Sequence, residues 1–371
     1  MSLKFGRAVA ALWVLISLTP AWGQASRTNV TIHTSLGDVP VELLGDRAPK
    51  TVENFLAYAD AGDYACTVIH RLAFTSVDGR SVPFVVQGGG FTVTGTEFAN
   101  MSAAHIPTRT PVVNEFGESN VRATLAMAKL GGNPDSATSE WFVNLGDNSG
   151  NLDNQNGGLT VFGRVGRAGM TVIDRIVALP RFSVTGLSPA FGDMPLRGID
   201  PNAPVLRQSS FVRVNGVSRN GVLQSVQVPN LLGLPVERAS QQLTNGSLIL
   251  ESIRPVLSST VQEGAVVSQS IGAGERVGAC ASVEVSLSGI AVPSLGGLTQ
   301  AEANAALQNA GLTTGAVTRA FSSAIGKGRV ISQVPSSGAA VLRRTPVAYV
   351  LSDGPDPISI LPVIINTLLD D

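Results

Sequence analysis

Val68-Ile69-His70-Arg71 leads into Phe84-Val85-Val86-Gln87-Gly88-Gly89-Gly90-Phe91, and three further blocks follow. These are Ala126-Met127-Ala128, then Asp135-Ser136-Ala137-Thr138-Ser139-Glu140-Trp141-Phe142-Val143-Asn144-Leu145, then Leu152-Asp153 with Thr160-Val161-Phe162-Gly163. Short apolar runs separated by turn residues read as strands, and the same pattern occurs upstream in Val30-Thr31-Ile32-His33 and Val39-Pro40-Val41-Glu42-Leu43. Between them, Pro49 to Ala59 places Val52, Phe55, Leu56 and Ala59 at helical spacing behind an N-terminal proline. A second helix is expected over Gly169 to Ala178, where Met170, Ile173 and Ile176 share a face. Two helices among many short strands predict a mainly antiparallel sheet or barrel over 28–213.

Outward from this block the chain changes character. Lys4 and Arg7, an apolar run from Ala8 to Leu18, and a small-residue exit through Gly23 and Ala25 have the three-part form of a signal peptide, assigned to 1–25. That run is too short to span a bilayer, as is the apolar tail within 355–371, so no integral membrane segment is expected. Residues 214–227 read as a linker. Beyond it the chain repeats at an offset of 64: Val228-Pro229 matches Val292-Pro293, Ala239 and Leu243 match Ala303 and Leu307, and Ser268-Gln269 matches Ser332-Gln333. A register kept this long marks two copies of one small unit, 228–290 and 291–354. Cys66 and Cys280, one in each half, are expected as buried small hydrophobes rather than as a bridge.

Composition and motifs exclude several chemistries. Lys and Arg number 26 against 27 Asp and Glu, without the basic excess of a nucleic-acid binder. His33, His70 and His105 are isolated from one another in sequence, so no metal site is expected. Gly88-Gly89-Gly90 lacks the lysine of a phosphate loop, and no serine sits in a Gly-x-Ser-x-Gly elbow.

The four ordered blocks between 68 and 163 resemble the signature of the cyclophilin-type peptidyl-prolyl cis-trans isomerases, secreted bacterial members above all. The resemblance implies a closed eight-stranded antiparallel barrel with two helices, and a proline pocket on its outer face. It makes Arg71 the catalytic arginine, with His70 beside it and Gln87 orienting it and binding peptide backbone. Phe84, Val85, Phe142, Leu152 and Leu159 would line the apolar slot, and Ala128 and Lys129 would hold the residue before proline through backbone groups. Glu140 stands where the family usually has Gln, which predicts a carboxylate paired with Arg71. No cofactor is implied.

The chemistry suits such a site. An X–Pro bond prefers trans by only ~0.5–1 kcal/mol but rotates over a barrier of ~18–20 kcal/mol. A catalyst therefore needs no nucleophile; it must bind the twisted amide better than either planar form. An apolar slot grips the ring, and a guanidinium aimed at the prolyl nitrogen stabilises the lone pair that reappears when resonance is broken. The expected substrates are proline-containing, unfolded or exported polypeptides in the periplasm, with a non-catalytic proline-peptide binder as the alternative. The repeats resemble PASTA domains, which implies two small α+β domains, with peptidoglycan as a partner or a spacer and folding-support role as the alternative.

Overall fold

The computed structural model describes residues 27–96, 100–200, 205–219, 221–223 and 225–356. The expected leader, 1–25, and the expected tail beyond residue 356 lie outside the described residues.

The N-terminal domain runs through Thr28–Thr34 (β1), Gly37–Leu43 (β2), the helix Pro49–Ala61 (α1), Thr67–Val68 (β3), Arg71–Val77 (β4), Arg80–Gly88 (β5), Phe91–Thr94 (β6) and Ser102–His105 (β7). It continues with Thr124–Met127 (β8), Trp141–Asn144 (β9), Ser149–Leu152 (α2), Val161–Val165 (β10), Arg167–Val177 (α3), Arg181–Phe182 (β11), Met194–Pro195 (β12) and Arg213–Ser218 (β13). Both helices read from the sequence are present. On α1, Val52, Phe55, Leu56 and Ala59 are buried, and the first-turn N–H groups of Lys50 and Thr51 donate to the Glu115 carboxylate at 3.2 and 2.8 Å. That carboxylate supplies from a distant loop what an N-cap side chain would supply locally.

The main sheet is antiparallel throughout, in the order β4-β5-β9-β8-β10-β2-β1-β13-β3-β6-β7. β3 and β4 lie far apart along this path, yet only Ile69 and His70 separate them in the chain, so the sheet curls back on itself. Alternation sorts the side chains into two sets. Leu72, Val86, Leu125, Met127, Trp141 and Val143 point inward to a core shared with Phe55, Tyr58 and Phe162. Their neighbours Ala73, Val85, Ala126, Phe142 and Val161 form a separate cluster on the opposite face. The sheet thus holds eleven segments where eight strands were expected, and the domain has three helices where two were expected. The extra breaks fall at Ile69–His70 and Gly89–Gly90, where the ladder is interrupted.

The segment expected as a linker is built into the structure. β13 pairs with both β1 and β3, and just past it Arg219 makes a two-pronged ion pair with Asp60 of α1.

The remaining elements are Ser225–Gln227 (β14), Val236–Asn245 (α4), Ile249–Leu257 (β15), Val266–Gln269 (β16), Arg276–Gly278 (β17) and Ser282–Ala291 (β18). Gln300–Asn309 (α5), Thr313–Ala320 (β19), Val330–Val334 (β20), Ala340–Val341 (β21) and Pro346–Ser352 (β22) complete the described chain. The repeat is visible bond by bond. Gln269 accepts from Leu231 N at 2.9 Å and donates to Pro229 O, while Gln333 accepts from Leu295 N at 2.7 Å and donates to Pro293 O.

The expectation of two small α+β domains is corrected. Residues 249–352 form a repeating run of strands of solenoid type in two sheets, joined across the repeat boundary. β18 continues past the first repeat, and its Ile290 and Ala291 pair with Val341 and Ala340 of β21. Gly289 permits this approach, since a Cβ there would lie 2.6 Å from the Val341 carbonyl oxygen. Leu342 packs on the first repeat's core and Ile290 on the second's, and Arg343 spans the boundary to Glu263.

The expectation for the cysteines is also corrected: Cys66 and Cys280, 214 positions apart in sequence, form a disulfide with Cα atoms 5.3 Å apart. Close by, Ser209 N donates to Glu251 of β15 at 2.9 Å. The first repeat is therefore fastened to the N-terminal domain by bonds as well as by chain connection.

Candidate active site

Antiparallel register brings the candidate residues together. Arg71 stands opposite Gln87 on the β4–β5 pair, and Gln87 stands opposite Phe142 on the β5–β9 pair. Because side chains alternate, Arg71, Ala73, Val85, Gln87, Ala126 and Phe142 project from the outer face. Val85, Phe142 and Leu152 are buried there, and Phe84, Ala128 and Leu159 pack against them. The expected slot residues thus share one apolar cluster beside the arginine.

The wall is held by a buried amide network absent from the sequence reading. Asn148 Nδ2 donates to the Phe84 carbonyl at 2.9 Å and to Asn144 Oδ1 at 2.7 Å. Asn144 in turn donates to Asn120 and Thr124, and Asn120 donates to Asp153 next to Leu152. Asn144 and Asn120 each both donate and accept within this chain, which fixes Phe84 and Leu152 relative to each other.

The polar half is a chain of hydrogen bonds. Arg71 Nη1 donates to Gln87 Oε1 at 3.3 Å, and Gln87 Nε2 donates to Glu140 Oε2 at 2.7 Å. Glu140 does not take up the direct pairing with Arg71 that the sequence suggested. Its ion pairs are with His70 Nε2 at 3.3 Å and His105 Nε2 at 3.1 Å. Two histidines that are isolated in sequence therefore meet on one carboxylate, with Phe91 edge-on between their rings. Burial pushes the Glu140 carboxyl up, but hydrogen bonds and charge from His70, then hydrogen bonds from His105 and Gln87, outweigh this and bring it down to about 2. His70 is buried, and its Nδ1 has no hydrogen-bond partner among the described residues. Gly90 makes room for the carboxylate, since a Cβ there would lie 2.8 Å from Glu140 Oε1.

Ala128 and Lys129 follow directly on β8. The Ala128 N–H already donates to the Glu140 carbonyl at 2.9 Å, so it is not free for a peptide. Lys129 Nζ is turned to Asn114 Oδ1, Asn156 O and Gly158 O, and burial pushes its ammonium down. It ties neighbouring loops together. Among the described residues no group of His, Cys, Asp and Glu is arranged to hold a metal ion, and no helix is long and apolar enough to cross a membrane.

The family model for the cyclophilin-type peptidyl-prolyl cis-trans isomerases matches residues 29–188. A peptidyl-prolyl cis-trans isomerase of Acinetobacter baylyi is 38% identical over 159 residues, covering 42% of this chain and 74% of that protein. The chain belongs to the cyclophilin-type isomerase family. Peptidyl-prolyl cis-trans isomerase A of Dickeya dadantii is 36% identical over 181 residues, covering 47% of this chain and 85% of that protein. Peptidyl-prolyl cis-trans isomerase B of Escherichia coli is 38% identical over 172 residues, covering 45% and 92%. The PASTA domain model matches 226–289 and 290–352, so the cyclophilin-type domain is followed by two PASTA domains. This isomerase accelerates rotation about X–Pro bonds, and its outer face carries an apolar cluster with Arg71 and Gln87 on the same strands.

Proposed function

We propose that Arg71 is the catalytic group of this isomerase and that its substrates are unfolded, exported polypeptides in the periplasm. The observation that carries the reading of the site is the juxtaposition of Arg71, tethered through Gln87, with the Val85–Phe142–Leu152 slot. A proline ring seated in the slot puts the prolyl nitrogen beside the guanidinium, which is always charged and stabilises the pyramidal nitrogen of the twisted amide. The preceding carbonyl swings while the ring stays fixed. Export is supported by the leader-like start of the sequence and by the disulfide, a bond that persists in oxidising compartments. The PASTA domains hold the catalyst against peptidoglycan, raising its local concentration where secreted chains emerge.

Exchange NMR on an X–Pro peptide tests the catalytic reading. The full-length mature chain is expected to accelerate cis–trans exchange and Arg71→Ala to lose at least about tenfold of that rate, equivalent to ~1.4 kcal/mol of transition-state stabilisation. Equal rates in the two proteins overturn the role of Arg71. Failure of the same protein to sediment with purified peptidoglycan overturns the anchoring role.

A further inference from the structure

We propose that Glu140 is a positioning residue that sets the orientation of Arg71 through the amide of Gln87; the inference rests on Arg71 being the catalytic group. A glutamine amide has an acceptor oxygen and a donor nitrogen on the same carbon, and its neighbours decide which faces where. A guanidinium only donates, so productive contact with Arg71 requires the Gln87 oxygen. Glu140 supplies the other half of the choice. An ionised carboxylate only accepts, so it takes the Gln87 N–H₂ and leaves the oxygen no orientation but toward Arg71. Donation then runs in one direction, from Arg71 to Gln87 to Glu140.

The rest of the cluster keeps Glu140 in this state. His70, between β3 and β4, and His105, at the end of β7, face the carboxylate from two other elements, and Arg71 reaches it only through Gln87. His105 Nδ1 lies 2.7 Å from the Ile106 carbonyl oxygen while its Nε2 lies 3.1 Å from Glu140. The His105 ring closes the chain on the side away from Arg71. The glycine at position 90 completes the seat, because any side chain there would displace the carboxylate.

Two variants of the full-length mature chain separate positioning from mere packing. Glu140→Leu removes the acceptor and frees the Gln87 amide to turn its N–H₂ toward Arg71. Glu140→Gln keeps an oxygen able to accept from Gln87. Glu140→Leu is expected to lower kcat by about tenfold, within the up to ~100-fold cost of a misplaced group, with KM unchanged within about twofold. Glu140→Gln is expected to recover most of that loss. The side-chain 15N–1H signals of Gln87 provide the second readout: they shift and broaden in Glu140→Leu and stay near their original positions in Glu140→Gln. Unchanged kcat in a folded Glu140→Leu protein overturns the proposal, as does a folded Glu140→Gln protein as slow as Glu140→Leu. If Glu140→Leu does not fold, Glu140→Ala takes its place, since it too removes the acceptor: lowered kcat with a shifted Gln87 signal supports the relay, and unchanged kcat or an unshifted Gln87 signal overturns it. Arg71→Ala serves as the control, since full activity there removes the underlying reading and not the hydrogen-bond chain.

Discussion

Reduction of the Cys66–Cys280 bond is expected to be the most damaging small change to this protein's stability. The bond closes a loop of 214 positions in the unfolded chain. Loop-closure entropy of roughly −2.1 − 1.5R ln n gives about −18 cal/mol/K for this length, or about 5 kcal/mol at 25 °C. The folded state has little to lose in compensation, because Ser209–Glu251 keeps the domains in contact without the bond. The assay is urea unfolding of the wild-type chain and of the double variant Cys66→Ser/Cys280→Ser, which leaves no stray thiol. Trp141 fluorescence follows the N-terminal domain, since its side chain is buried in that core, and far-UV circular dichroism follows the whole chain. With an m-value of roughly 3 kcal/mol/M, the midpoint should fall by about 1.7 M. The two probes should also separate in the variant, where the PASTA domains and the isomerase domain can unfold independently. Midpoints that agree within about 0.2 M, given that m-value, would refute the loop-entropy reasoning.

Two further outcomes follow from other parts of the molecule. Glu140 has a folded-state pKa of about 2 against an ordinary 4.5, a depression worth about 3 kcal/mol at 1.36 kcal/mol per unit. Because the folded value is the lower one, this stabilisation is complete above the unfolded pKa and is lost as pH falls from about 4.5 through about 2. The difference in unfolding free energy between the wild type and Glu140→Gln should therefore shrink across that window, and a constant difference would contradict the assignment. Gly289→Val should drive a side chain into the Val341 carbonyl and cost about 1–3 kcal/mol, as overpacking does. Hydrogen exchange should show β21 amides losing protection first, and unchanged exchange at Val341 would count against the strand pairing.

The sequence was most readable where order is local or periodic. The α1 face, the α3 face and the offset of 64 need only spacing to be seen, and the paired roles of Gln269 and Gln333 follow from that offset. The slot residues were legible because they carry a family pattern; their assembly on the outer face follows from period-two alternation on β5, β8 and β9. Long-range meetings were not legible. His105 and Glu140 are joined only after β6 and β7 fold back, and nothing in either segment signals the other. Cys66 and Cys280 read as a sparse pair because their proximity depends on docking between domains. β13 was hidden for a different reason: Gly216 at φ +150° and a short apolar run look like linker, and the strand exists because β1 and β3 both need a partner. The partner of the Glu140 carboxylate is not legible, since sequence cannot show an intervening amide.

The disulfide also sets an order in time. Synthesis delivers Cys66 early, whereas β13 ends at Ser218 and Cys280 follows 62 positions later. At about 5–20 residues per second, those 62 positions correspond to roughly 3–12 s. During that interval the barrel's last strand is already made while Cys66 remains a thiol. Disappearance of Cys66 reactivity toward an alkylating probe therefore marks the moment at which the first PASTA domain has been made and docked.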